Sequence, residues 1–369
     1  SNKKMYDSYI KLSVRTKKLR RNLGMKKFLS VLLAMTMVLS LTACGGSKTE
    51  TTTDTSAQGA EETTTATETT ASGDTIKIGF SPYTLANEYF SAVEAGVKEA
   101  CDELGYEMIS NDPQSDSTVQ AKQIDDMIAQ GISGLVYIPN DSKNCRAVLQ
   151  ACKDAGVFVI NVDNVITEDD YDVVDGIIAS DNHQLGYLSG KYVASKCPEG
   201  GKVLIVHLQT AESCAVNVQG FWDGLKENAA EGANFEETQV VEGGGATDVA
   251  YKAVSDALSA HPDITIIYAI NDTSAQGAIQ AVAEAGLEDQ IMVVGKDAAP
   301  LGKQNIKDGK EAQSSGQRPS QMGYDGVYSI SDLLAGKDIE FNVAIEAYDC
   351  NADNIDDFDL TSWDTIEHR

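Results

Sequence analysis

From Thr75 almost to the end of the chain, short apolar runs rich in Val and Ile alternate with stretches whose apolar residues recur every three or four positions. The first pattern is that of strands buried on both faces, the second that of amphipathic helices. Strands are predicted at 75–80, 106–110, 134–138, 157–162 and 176–179. The helices between them are one carrying Phe90, Val93, Val97, Ala100 and Leu104, then 118–130 and 142–155. A second round follows, with helices at 182–197, 215–229, 248–260 and 274–285 and strands at 202–207, 237–241, 265–270 and 291–294. The last part is less regular: a strand at 311–314, a helix at 320–334, a strand at 343–347 and an acidic, loop-like tail. Strand–helix alternation with helices of this length predicts an α/β chain of doubly wound parallel sheets, and two rounds predict two lobes with a cleft between their strand ends.

Three of the apolar runs stop at a carboxylate with a polar neighbour. These are Asp163–Asn164 after 158–162, Asn271–Asp272 after 265–270, and Lys296–Asp297 after 291–295. In open parallel sheets ligands are held beyond the carboxyl ends of the strands. One such pair is explained by helix capping, a role open to Asn271 or Asp272. Three at three strand ends point to one site that collects them.

Composition changes the picture at the front of the chain. Residues 1–43 hold ten Lys and Arg and one acidic residue, so from Cys44 onward 19 basic residues face 55 acidic ones. A body this acidic argues against nucleic acid or an anionic membrane surface as partner. Met25-Lys26-Lys27, an apolar run over 28–41 and Leu41-Thr42-Ala43-Cys44 make a signal peptide with a small-residue cleavage site. Its apolar run, about 14 residues, is shorter than the roughly 20 a membrane span needs. Residues 1–24 precede that Met, are basic without apolar periodicity, and are set aside as an extra segment. Eleven of the 25 residues from 49 to 73 are Thr, with no aromatic among them, a composition that forms no core. As a flexible chain of about 29 residues it reaches about 30 Å. Cys101, Cys145, Cys152, Cys197, Cys214 and Cys350 are scattered with no CxxC and no His at metal-ligand spacing, the pattern of buried thiols rather than of a disulfide framework or metal site.

GxGxxG after a strand, GxxxxGK[ST], GxSxG and HExxH are all missing, which removes the commonest dinucleotide, phosphate and nucleophile signatures, and no cofactor or metal is expected. What remains is a constellation of amides, carboxylates and aromatics: Asn87, Tyr89, Phe90, Asp163, Asn271, Asp297 and Gln317. Carboxylates and amides pair with adjacent hydroxyls, and aromatic faces pack on the C–H faces of a sugar ring.

These residues carry a resemblance. From about Thr75 to Ala347 the chain resembles the ribose-binding-protein-like, type I periplasmic binding proteins of bacterial ABC importers. Asn87-Glu88-Tyr89-Phe90 is similar to the family's Asn-Pro-Phe-Phe, Asn161-Val162-Asp163-Asn164 to its Thr-Leu-Asp-Arg, and Ile178-Ala179-Ser180-Asp181-Asn182 to its Ile-Ala-Ser-Asp-Asn. Ala269-Ile270-Asn271-Asp272 and Val293-Val294-Gly295-Lys296-Asp297 follow the family order. Leu-Thr-Ala-Cys resembles a bacterial lipobox, which implies cleavage before Cys44 and lipidation of its thiol.

The resemblance implies two lobes joined by three crossovers near Ser180, Gln317 and Glu346, with 74–180 plus 318–346 in the first lobe and 181–317 plus 347–369 in the second. It places Asn87, Tyr89, Phe90 and Asp163 on the sugar from the first lobe and Asn271 and Asp297 from the second, with Gln317 near a crossover. Ribose binders carry Arg where this chain has Asn164 and Asn217, Phe where it has Gly245 and an aromatic where it has Lys296, so a pentose other than ribose, a hexose or a polyol is expected. Two guanidinium forks are strong directional donors, and their loss changes the ligand. The implied role is that of a monomeric solute receptor, lipid-anchored outside the cell membrane of a Gram-positive cell, that hands its ligand to a permease. A sugar sensor that signals without transport shares these features. A repressor of the lactose type would need a helix-turn-helix where this chain has a lipobox and an acidic tether.

Overall fold

A computed structural model describes residues 75–369 apart from Thr210 and the side chain of Glu212. The extra N-terminal segment, the signal peptide, Cys44 and the Thr-rich tether lie outside the described residues.

In chain order come β1 (Lys77–Ser81), α1 (Glu88–Leu104), β2 (Glu107–Ser110), α2 (Ser117–Ala129), β3 (Gly134–Tyr137), α3 (Arg146–Asp154), β4 (Phe158–Val162) and β5 (Gly176–Ser180). The second round is α4 (Asn182–Lys196), β6 (Gly200–His207), α5 (Glu212–Asn228), β7 (Asn234–Glu242), α6 (Thr247–Ala260), β8 (Ile266–Ala269), α7 (Asp272–Ala285), β9 (Met292–Asp297), α8 (Pro300–Lys307) and β10 (Gln313–Gly316). Then follow α9 (Pro319–Leu334), β11 (Asn342–Ile345) and β12 (Tyr348–Asn351).

Two six-stranded sheets result, in the orders β11-β5-β4-β3-β1-β2 and β12-β10-β9-β8-β6-β7. Every pairing is parallel except that of β12 with β10, which is antiparallel. The chain passes from one sheet to the other after Ser180, after Gly316 and between Ile345 and Tyr348.

Burial on both faces is visible in how neighbouring strand residues separate. Leu135, Tyr137 and Val159 join one cluster while Val136, Ile138, Ile160 and Val162 join another. In the second sheet Leu204, Val206 and Ile267 face away from Val203, Ile205 and Ile266. Each sheet is therefore coated by helices on both sides, the doubly wound arrangement the apolar runs predict. Among the described residues no helix is long and apolar enough to cross a membrane. The six described cysteines are free thiols, five buried and Cys197 half-buried.

One helix pair shows how close the layers come. A Cβ on Gly190 of α4 would lie 2.0 Å from the Phe221 carbonyl oxygen, and one on Gly224 of α5 2.2 Å from that of Tyr187. Only glycine lets these backbones meet.

Three elements depart from the sequence pattern. The helix expected from 142 starts at Arg146, because the Asp141 carboxylate accepts from the amides of Lys143 and Asn144 at 2.9 and 3.1 Å and holds that stretch as a turn. The segment 300–307, to which the sequence pattern assigns no element, is α8, and 348–351, read as the start of the loop-like tail, is β12. The tail also divides: Leu360 packs on a second-lobe cluster, whereas Trp363 and Ile366 pack on the core of the first lobe.

Candidate functional site

The carboxyl ends of β4, β5, β9 and β10 and the first turn of α1 converge. Asp163 follows β4 with φ 61°, and Asp297 ends β9 with φ 116°, followed by Ala298 at φ 47°. These lie in the left-handed half of backbone space, which costs an L-residue energy and which Asp tolerates better than most. Only two other non-glycine residues among those described, Gln114 and Ser115, share a positive φ. Strain held at two strand ends that face one another makes them candidates for function.

Tyr89 is set by its helix. The Asn87 side chain caps α1 by accepting from the Tyr89 amide at 2.9 Å, which turns the ring inward against the strand ends. The Tyr89 hydroxyl donates to Asp163 Oδ1 at 2.8 Å and lies 3.3 Å from Gln317 Oε1. Gln317 Oε1 also accepts from the Ser180 hydroxyl at 2.6 Å, and Gln317 Nε2 donates to Asp297 Oδ1 at 2.8 Å. Lys296 completes the network, its Nζ 2.7 Å from the same Asp297 oxygen, with both side chains less than 15% exposed. A continuous polar chain thus runs from the first lobe through the crossover at Gln317 to the second.

The electrostatics follow from this crowding. Burial pushes the Asp163 carboxyl above its ordinary range, against the opposing effects of the Tyr89 hydrogen bond and the Lys296 charge. Burial, and then Asp163, push the Tyr89 phenol well up, so it stays a donor. For Lys296 burial acts to lower the pKa, but Asp297 outweighs it and the ammonium is held above its usual value. Two carboxylates, one ammonium, one phenol and one amide, mostly dry, suit a neutral polyhydroxylated molecule that needs acceptors and donors at once.

The remaining sequence candidates stand outside this chain of bonds. Phe90 packs edge-on to Tyr89 at 5.3 Å and stacks on Tyr83 at 5.6 Å, extending an aromatic wall. Asn271 caps α7, accepting from the Ser274 amide at 3.0 Å while its Nδ2 donates to the Gly245 carbonyl at 3.2 Å. Asn164 is exposed, and its carbonyl accepts from the Asn161 side chain at 2.9 Å. Asn217 is buried, with its Nδ2 donating to the Asn182 carbonyl at 2.6 Å, a bond that ties α5 to α4. Ser180, expected only as a crossover, was missed as a member of the site, because the sequence does not show its hydroxyl beside Gln317. Asp272 does not cap its helix but turns inward to the Ala299 amide and the Ser314 hydroxyl, at 2.7 and 2.6 Å.

Comparison with known proteins gives the family. Residues 78–338 match the family described as periplasmic binding protein domain. The chain belongs to the periplasmic binding protein family. Its relatives include the ribose import binding protein of Salmonella typhimurium, 30% identical over 279 residues that cover 74% of this chain and 89% of the relative. That of Bacillus subtilis is 27% identical over 325 residues, 87% of this chain and 97% of the relative. Among solved structures, a solute-binding protein from Actinobacillus succinogenes with bound D-allose superposes with a TM-score of 0.69 at 22% identity, covering 77% of this chain and all of that one. The chain is a ribose-binding-like, type I member of the kind that serves ABC importers.

Proposed function

We propose that this periplasmic binding protein takes a small sugar or sugar-like polyol between its lobes and delivers it to the permease of an ABC importer. The observation that carries the reading is the pairing of Asp163 and Asp297, each at a strained strand end in a different lobe, joined through Tyr89, Gln317 and Lys296. A ligand bound there replaces bonds that the lobes otherwise make with each other. The relatives named above, two of them ribose import binding proteins and one a D-allose complex, support a monosaccharide as the class.

Ribose itself is not the proposed ligand. Asn164 and Asn217 supply no guanidinium, Asn217 is committed to Asn182, and Lys296 replaces an aromatic face with a charged donor. Asn87, Phe90, Asn164, Asn217 and Asn271 line the site in this reading beside the network, Asn87 and Asn271 by fixing the helix ends that border it.

The rest of the reading concerns place. The lipobox at Leu41-Thr42-Ala43-Cys44 supports a lipid anchor on Cys44, with the Thr-rich tether holding a monomeric body outside the cell membrane of a Gram-positive cell. A thermal-shift screen across pentoses, hexoses, furanoses and polyols tests the ligand class, since a ligand at 100 times its Kd adds about 2.7 kcal/mol of stability. A rise in melting temperature confined to such molecules supports the reading. No shift across the panel would overturn it.

A further inference from the structure

The segment after β12 makes a crossing of its own. Phe358 stacks on Tyr348 of the second lobe at 5.3 Å and Leu360 packs beside it, yet three residues later Trp363 is on the core of the first lobe. The transition is pinned from the second lobe by Lys303 of α8, 1% exposed, whose ammonium donates to the carbonyls of Asp359, Ser362 and Trp363 at 3.3, 3.1 and 2.9 Å. The Tyr348 hydroxyl donates to the same Trp363 carbonyl at 2.8 Å. On the first lobe Asp364 caps α9, accepting from the amides of Ser320 and Gln321, both at 3.1 Å.

Between these two anchors the Trp363 ring stands edge-on to Tyr89 at 5.4 Å. Tyr89 therefore meets Asp163 and Gln317 with its hydroxyl while its ring is wedged between Phe90 and Trp363, each at an edge-to-face angle. A buried ammonium spent on three main-chain oxygens is a costly way to hold a tail unless its position matters. Burial lowers the Lys303 pKa, against the opposing effects of Cys350, Asp364, Asp359 and Asp272.

We propose that residues 359–369 form a fourth crossing between the lobes, pinned by Lys303, and that Trp363 on this strap is a positioning residue for Tyr89 at the ligand site. The strap spans the two lobes in the same arrangement in which Tyr89 meets Gln317. The inference rests on the sugar reading of the site for its affinity arm but not for its docking arm.

The docking arm uses the unliganded chain. Trp222 and Trp363 are its two tryptophans, so in a Trp222→Phe background acrylamide quenching reads Trp363 alone. Quenching should be weak there and should rise at least about twofold when Lys303→Met is added, because release turns a packed ring out to solvent. The affinity arm measures Kd by calorimetry for D-allose, L-arabinose, D-galactose and myo-inositol. Trp363→Leu should weaken the tightest of these about two- to tenfold, the range an edge-to-face pair contributes. Trp363→Phe should restore most of the affinity at the same melting temperature. The effect of Trp363→Leu should shrink in a Tyr89→Phe background, which a merely structural tail would not produce. Equal quenching with and without Lys303→Met overturns the strap, and additivity with Tyr89→Phe overturns the positioning role. If none of the four sugars binds wild type, the sugar reading is what fails, and the strap is then judged on quenching alone.

Discussion

Replacing Glu311 by Gln should remove a pH dependence from the stability of the fold. Glu311 is 2% exposed, and although Asn305 lies beside it, neither carboxyl oxygen meets hydrogen-bond geometry with any described residue. Asp272 is 1% exposed and close by, since a Cβ on Gly295 would lie 2.3 Å from Glu311 Oε1 and 3.1 Å from Asp272 Oδ1. Asp272 accepts two hydrogen bonds that favour its charged form, from Ala299 and Ser314, whereas Glu311 has none. Glu311 is therefore the member that keeps its proton. Burial, and then the Asp272 charge, push its pKa well above the usual carboxylate range. A raised folded pKa means that the group's contribution is full below the unfolded pKa, near 4.3, and is lost as pH rises through the folded one. Within that window the folded chain binds one more proton than the unfolded chain, and each pH unit removes about 1.36 kcal/mol. As pH rises through that window wild type should lose stability from this group, and Glu311→Gln should not. The buried amide has its own desolvation cost, but that cost is independent of pH, so the slope is the test. Urea unfolding of both chains at pH 5, 6 and 7 measures it. Parallel stability–pH lines would refute the assignment of the proton to Glu311.

Other expectations follow from the site and the front of the chain. Lys296→Met leaves Asp163 and Asp297 buried without their cation and should cost about 3–5 kcal/mol in urea unfolding, while a loss under about 1 kcal/mol would mean that the ammonium is effectively solvated. Calorimetry should show ribose binding at least about tenfold weaker than the best sugar, a gap of about 1.4 kcal/mol, and ribose as the tightest ligand would contradict the role given to Lys296 and Asn217. Cys44→Ser should leave the protein uncleaved or release it to the medium. A variant that is processed at the same position and stays on the membrane would rule out the lipid anchor.

Periodicity made the fold legible wherever a strand was buried on both sides, because such strands carry uninterrupted Val and Ile. It failed for α8, which opens on a proline and is short, and for β12, where Tyr-Asp-Cys-Asn has no apolar run. β12 is an antiparallel edge strand whose Asp349 is held by Gln313 and Asn351, so polar contacts rather than burial define it. In the site, Asp163 and Asp297 were legible because a carboxylate ending an apolar run is itself a pattern. Their left-handed backbone was not, and neither were the partners they reach through Gln317, since those bonds join residues more than a hundred positions apart. The family pattern holds both Asn217 and Asn182 but not the contact between them, in which the amide of the first is spent on the carbonyl of the second. The tail read as loop for the same reason as β12: its anchor is the Lys303 ammonium, and a lone Lys in a sequence does not announce three carbonyls.

The central claim is that one sugar is held by groups from both lobes, and small-angle scattering with and without the best sugar of the thermal-shift panel tests it most directly. Wild type should compact on adding sugar, because only a ligand that binds the closed form better drives closure. Asp163→Ala and Asp297→Ala should each need at least about tenfold more sugar to compact, the loss expected when a charged acceptor leaves desolvated hydroxyls unpaired. If either variant compacts at the wild-type concentration, that carboxylate does not touch the ligand, and a site bridging the two lobes through Asp163 and Asp297 is contradicted.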